Sequence, residues 1–281
     1  MRLPTQLLLR KLNTHKGDFG HIFILAGSIR YSGAALLCAE AAMRAGAGLV
    51  TIGLPESLSL ALIKRKPKEV MILPLPETKQ GNLSLQAFNK INFFLKDINV
   101  VVIGPGLGQE KSTQSLIRKL VSKITVPVVI DADGLNALTL NLKLLEPNMI
   151  LTPHPGEMSR LSGKSVKEIQ GDRLKVTRSF AKAHKVTLVL KGHNTVVSDF
   201  SGNTYVNRSG NPGMATAGAG DVLSGVIAAF LGQGLDLFKA AKFGVYLHGL
   251  AGDLAAKEKT QLSLIASDII DKLPQAIKKS S

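Results

Sequence analysis

Asn211 to Gly225 reads NPGMATAGAGDVLSG, with four glycines, three alanines and one acid, Asp221, placed just before the apolar run VLSGVIAAFLGQG. Gly218 and Gly220 fall where a loop turns into a helix. At such a junction successive backbone amides point at one spot, and the helix dipole adds positive potential there. Gly218, Ala219 and Gly220 therefore form a candidate anion hole. Asp221, in the first helical turn, has two readings. It is either an acid that caps the helix, or a general base that deprotonates a substrate hydroxyl beside a transferring phosphoryl group while the anion hole takes up charge.

Outward from this junction, short β-branched runs alternate with longer segments of helical spacing, the signature of βα units and a mostly parallel sheet. Strands are predicted at 21–27, 49–54, 70–75, 99–104, 126–131, 149–153 and 186–191. Several are apolar almost throughout, as strands covered on both faces should be. Helices are predicted at 33–46, 84–95, 111–124 and 165–185. After Lys191 the pattern changes: HNTVVSDFSGNTYVNRSGN reads as a hairpin with Ser-Gly-Asn turn chemistry, followed by three helical segments. No linker, repeat or low-complexity tract interrupts the chain, so residues 1–281 are expected to form a single α/β domain.

Composition narrows the function classes. Of 281 residues, 45% are hydrophobic and 20% charged, which disfavours disorder, collagen and coiled coil. Apolar stretches fall well short of the roughly 20 residues that span a bilayer, and the N-terminus lacks a cleavage site of secretory type. The lone Cys38 suits a reducing, cytoplasmic setting. A net charge of +15 raises the question of nucleic acid. Lys and Arg are spread along the chain, however, Trp is absent and aromatics are 5%, so no single-strand stacking platform is present. The charge suits either polyanionic small molecules or a simply solvated basic surface.

In a parallel sheet, ligands bind beyond the carboxyl ends of the strands. The loops there carry AGS (26–28), GPGLG (104–108), DADGLNAL (131–138), TPHPGE (152–157) and KGHNT (191–195). GPGLG lacks the dinucleotide-binding glycine spacing, and no GxxxxGK[ST] phosphate loop occurs. His154 lies between two prolines, poised either to hydrogen-bond a substrate or to pack the loop. Glu157 reads as a first-turn acid favoured by the helix dipole. His248, on a small-residue apolar helix, reads as a core or interface histidine. Patterns of HxxxH or CxxC type are absent, which argues against a zinc site, and metal ligands are not identifiable.

AGAGD on a late loop-to-helix junction resembles the ribokinase-like fold, a three-layer α/β/α sandwich with a mostly parallel central sheet. KGDFGHIFILAGS, GAALLCAEAAMRAGAGLVTI, VVIGPGLG, VIDADGLNAL, LTPHPGEMSRL, LVLKGHNTVV, GNPGMATAGAGDVLSGVIAAFLGQG and GVYLHGLAGDLA, in this order, together resemble the ADP- or ATP-dependent NAD(P)H-hydrate dehydratases. The match runs from about Lys16 to about Asp253. The resemblance implies a hydro-lyase that repairs hydrated NADH and NADPH: a nucleotide phosphorylates the ring hydroxyl, and elimination of phosphate restores the double bond. It places hydrate-binding positions at Ala35, Gly106, His154 and Asp221, and nucleotide-binding ones at Lys191, Gly192, His193, Asn194, Thr195 and Gly220. It implies Mg2+, ADP in preference to ATP, a homotetramer, no nucleic-acid or membrane partner, and an NAD(P)H-hydrate epimerase supplied by a separate chain. The alternative is a ribokinase-type kinase for a thiazole or hydroxymethylpyrimidine alcohol.

Overall fold

A computed structural model describes all 281 residues. Its strands are β1 (His21–Leu25), β2 (Leu49–Pro55), β3 (Met71–Leu75), β4 (Val100–Ile103), β5 (Val128–Ile130), β6 (Met149–Leu151), β7 (Thr187–Leu190), β8 (Val196–Ser198) and β9 (Thr204–Val206). They form one sheet in the order β3-β2-β1-β4-β5-β6-β7-β8-β9. Pairing is parallel from β3 to β7 and antiparallel for β8 and β9. Each of the seven expected strands is present, and the expected hairpin supplies the last two.

The helices are α1 (Thr5–Leu8), α2 (Ser32–Arg44), α3 (Glu56–Leu62), α4 (Phe88–Phe94), α5 (Lys111–Val121), α6 (Asp133–Leu138), α7 (Pro155–Ser162), α8 (Val166–Gly171), α9 (Arg173–His184), α10 (Ala219–Gly232), α11 (Leu237–Lys259) and α12 (Ala266–Lys279). Side chains along a strand alternate between faces, and here the alternation builds two cores. Ile22, Ile24, Val50 and Val102 pack with α2, α3, α10, α11 and α12. Phe23, Leu25, Val101 and Ile103 pack with α4 to α9 on the other side. The result is the expected three-layer α/β/α sandwich. No helix is long and apolar enough to cross a membrane.

One expected helix differs. The segment 165–185 breaks between Gly171 and Asp172, where Asp172 leaves helical geometry (φ −149°, ψ 74°) and its side chain accepts from the Lys175 amide at 2.9 Å. An Asp that can cap a following turn competes with continuation of the helix. The short α3 and α6, each of two turns or fewer, carry too little periodicity to be read from the sequence.

Because β1 and β4 to β7 run parallel, the loops after them emerge at one edge of the sheet. The first turn of α10 arrives at the same edge from the α2 side. It is held there by close packing: a Cβ on Gly225 would lie 2.1 Å from the Cys38 carbonyl oxygen of α2, so only glycine lets the two helices approach this far.

Candidate active site

The edge is organised around one buried carboxylate. Asp131, at the end of β5, is 1% exposed. Its Oδ1 accepts from Lys191 Nζ at 2.6 Å and from the Ala132 amide at 2.9 Å; its Oδ2 accepts from Ser224 Oγ of α10 at 3.0 Å. Burying an ion pair costs several kcal/mol of desolvation unless further hydrogen bonds satisfy the remaining lone pairs, and these three donors do so. The turn that follows is bent hard, with Ala132 at φ 48°, ψ −117°. Past it, Asp133 Oδ2 accepts from the Gly108 amide at 2.8 Å, tying DADG to GPGLG. The loop after β1 joins the same network, since Ser28 Oγ donates to the Gly106 carbonyl at 2.8 Å.

Lys191 stands at the end of β7, its Nζ also 4.0 Å from Glu157 Oε2. Burial opposes its charge, but Asp131 and then Glu157 outweigh burial and raise its pKa. Its backbone is braced by Arg173, whose Nη2 donates to the carbonyls of Leu190 at 2.8 Å and Lys191 at 3.2 Å.

TPHPGE forms the N-terminus of α7 through a capping box. His154 Nδ1 accepts from the amides of Gly156 at 3.0 Å and Glu157 at 3.3 Å, and Glu157 Oε2 accepts from the His154 amide at 2.8 Å. With Nδ1 as the acceptor, the proton of the neutral ring sits on Nε2. Burial, then Lys191 and Arg160, lower the His154 pKa, so the ring is neutral near pH 7. Glu157 is shifted upward by burial, with Lys191 opposing. Thus Glu157 is the first-turn acid expected, and it also faces the lysine.

At α10, Gly218 is the N-cap in left-handed conformation (φ 88°) and Asp221 lies in the first turn. The amides of Gly218, Gly220 and Asp221 make no backbone hydrogen bond, which leaves free donors of the kind that bind anions. Gly220 sits hard against the ion pair, where a Cβ would come 3.2 Å from Lys191 Nζ and 3.5 Å from Asp131 Oδ2. Asp221 makes no cap hydrogen bond to the helix. Its pKa is pushed up to about 7, by burial first and then by the charge of Asp131, with Lys191 pulling the other way. A carboxylate poised there is a competent general base at neutral pH.

Beside this cluster opens a cavity of 710 Å³, within the range of small-molecule sites. His154 and Lys191 to Thr195 line one side, Asn207 to Pro212 and Met214 to Thr216 another, and Ala219, Gly220, Leu223, Val245, His248 and Gly249 the helical wall. His154, Lys191, Gly192, His193, Asn194, Thr195, Ala219 and Gly220 are thereby brought to one space. Gly218 and Asp221 adjoin it along the α10 junction. Gly106 lies off the cavity, packed beneath Tyr31 and Ala34, and Ala35 is fully buried, so its methyl offers no surface to a ligand. Sequence reading gave no role to Ser224 or Arg173 and placed Asp131 only within the strand-end loop DADGLNAL. For Asp131 the signal was available, since it ends the strand VPVVID.

A ribokinase-like sandwich with an anion loop, an adjoining carboxylate and a cavity along the carboxyl edge of its sheet defines the class. Within it, the family model for NAD(P)H-hydrate dehydratase matches residues 22–275, and the chain belongs to that family. It is 43% identical over 277 residues to a bifunctional NAD(P)H-hydrate repair enzyme of Moorella thermoacetica, covering 98% of this chain and 52% of that protein. It is 39% identical to an ADP-dependent (S)-NAD(P)H-hydrate dehydratase of Neisseria meningitidis, covering 96% and 88%. The crystal structure of an ADP/ATP-dependent NAD(P)H-hydrate dehydratase from Bacillus subtilis, co-crystallised with ATP/Mg2+, superposes with a TM-score of 0.82 at 31% identity, covering 100% of this chain and 95% of that one. The chain spans about half the length of most of the curated relatives it matches.

Proposed function

We propose that this chain is an ADP-dependent (S)-NAD(P)H-hydrate dehydratase. The observation that carries the reading is the pairing of free amides at the start of α10 with Asp221, a carboxylate whose pKa is about 7. The nucleotide occupies the cavity along Lys191 to Thr195, with its terminal phosphate at Gly218, Ala219 and Gly220. The hydrated nicotinamide approaches from the side of Gly106 and His154, where the neutral imidazole donates through Nε2; the Ala35 segment contributes by shaping the start of α2. Asp221 takes the proton of the ring hydroxyl, whose oxygen then bonds to the terminal phosphorus as the bond to the nucleotide leaving group breaks. Amides and Lys191 stabilise the charge that develops on the phosphoryl oxygens. Departure of phosphate from the ring, with loss of a proton from the adjacent ring carbon to solvent, restores the double bond.

Magnesium fits this site as an ion carried by phosphates. No group of three or more acidic, histidine or cysteine side chains is set to hold a metal by itself, and Mg2+ in phosphoryl-transfer sites is commonly bound through one or two carboxylates plus substrate oxygens. Glu157, which faces the Lys191 cation at 4.0 Å, is the carboxylate that would hold the ion, and the ion would neutralise phosphate charge there. A homotetramer completes the proposal.

The test is to incubate purified protein with hydrated NADH and either ADP or ATP, in parallel, and to follow the near-ultraviolet absorbance of reduced nicotinamide. Recovery of that absorbance, faster with ADP, is expected. No recovery with either nucleotide would sink the assignment.

A further inference from the structure

His248, which its sequence context suggests is a core or interface histidine, stands on α11 in the wall of the cavity. Its Nε2 is buried and has no hydrogen-bond partner. The groups around it are already engaged. Asn207 Nδ2 donates to the Val245 carbonyl at 3.0 Å and Ser209 Oγ to the Tyr246 carbonyl at 3.0 Å, so the connector after β9 is laced to this stretch of α11. A buried polar atom left unpaired is costly, and each such atom in a native structure calls for an explanation. In a wall that lines an open cavity, the explanation is a ligand that brings the missing partner.

The charge state says which part of a ligand. Burial lowers the His248 pKa to about 4, opposed by a hydrogen bond with the Ala219 backbone and reinforced by Lys191. The ring is therefore neutral at physiological pH, with one donor and one acceptor nitrogen. Phosphates are served by the free amides of α10 and by the Lys191 ammonium. An uncharged imidazole is matched to hydroxyl or amino groups.

We propose that His248 is a nucleotide-contacting residue, whose imidazole hydrogen-bonds the uncharged nucleoside portion of the nucleotide in this cavity. The inference rests on the reading of the cavity as the nucleotide site. It is tested by calorimetric titration of ADP, and separately of ATP, into wild-type protein and into His248→Leu and His248→Asn, with unliganded melting temperatures recorded alongside. Wild type is expected to bind. His248→Leu should bind about ten- to a hundredfold more weakly, while its unliganded melting temperature is unchanged or raised, because an unpaired polar atom has been removed. His248→Asn, still polar, should lose less; it also carries the test should the leucine variant misfold. Unchanged nucleotide affinity in a folded variant of either kind would overturn the inference and leave the proposed activity standing. Absence of ADP and ATP binding by wild type would instead overturn the reading of the cavity, and the inference with it.

Discussion

Helix α10 divides into two regions that obey opposite rules. From Val222 to Leu231 every residue is buried, and Gly225 lets the backbone lie against α2 at a distance no side chain would permit. In the first turn, Gly218 to Asp221, amides are left free and a carboxylate is held in surroundings that disfavour its charge. The packed turns gain stability from contact. The first turn gives stability up so that donors and a base stand ready, the arrangement expected where function sets the geometry. The difference teaches that the tight packing is what fixes the position of the first turn.

Three substitutions, one of them read in two ways, break or sharpen this contrast. The largest effect belongs to Asp221→Asn, which should lower turnover by about a hundred- to ten-thousandfold while ADP affinity, measured by calorimetry, stays within a few-fold of wild type. Retention of most activity would make Asp221 a mere helix acid. Next is Lys191→Met, which strands Asp131 in the interior without its counter-ion; denaturant unfolding should show a loss of about 3–5 kcal/mol, and a loss below about 1 kcal/mol would mean the pair behaves as a surface pair. Gly225→Ala comes third. Its methyl would meet a backbone oxygen that cannot rotate away, so a loss of about 1–3 kcal/mol or more is expected by the same measurement, and turnover should fall with it as the first turn is displaced.

The smallest effect is the most diagnostic of the compromise at the first turn. The folded-state pKa of Asp221, about 7, lies above its ordinary value of 3.8, so the folded protein holds this proton more tightly than the unfolded chain. Between those two values stability falls as pH rises, because the buried group must ionise. Asn carries no such cost. Asp221→Asn should therefore melt a few degrees above wild type at about pH 8 and show no advantage at about pH 4. An inactive variant that is also less stable at the higher pH would contradict the idea that function is held here against stability.

Most of the architecture was legible because strand and helix periods are local signals. VVIGPGLG and VPVVID are apolar throughout and end in glycine or acid, and both lie in the middle of the sheet. The break at Asp172 was not legible as such, since a capping acid inside a helical pattern looks like any surface residue until its side chain is seen on the Lys175 amide. At the site, motifs brought His154, Lys191 to Thr195, Gly220 and Asp221 to one edge of the sheet. What they could not give is partnership across the chain. The Asp131–Lys191 contact joins residues sixty positions apart, and Asp131–Ser224 spans ninety-three; neither spacing leaves a local trace. The cavity beside His248 left no local trace for the same reason: an apolar helix suggests a core or an interface, and only the packing of the connector against α11 reveals the opening beside it.

The central claim, that the first turn of α10 presents a working base, is tested most directly by the pH dependence of kcat/KM of the wild-type protein for hydrated NADH at saturating ADP. Since the base acts in its ionised form, kcat/KM is predicted to fall with a slope of one below about pH 7, the point at which Asp221 takes up its proton. A profile that stays flat down to about pH 5 would contradict it.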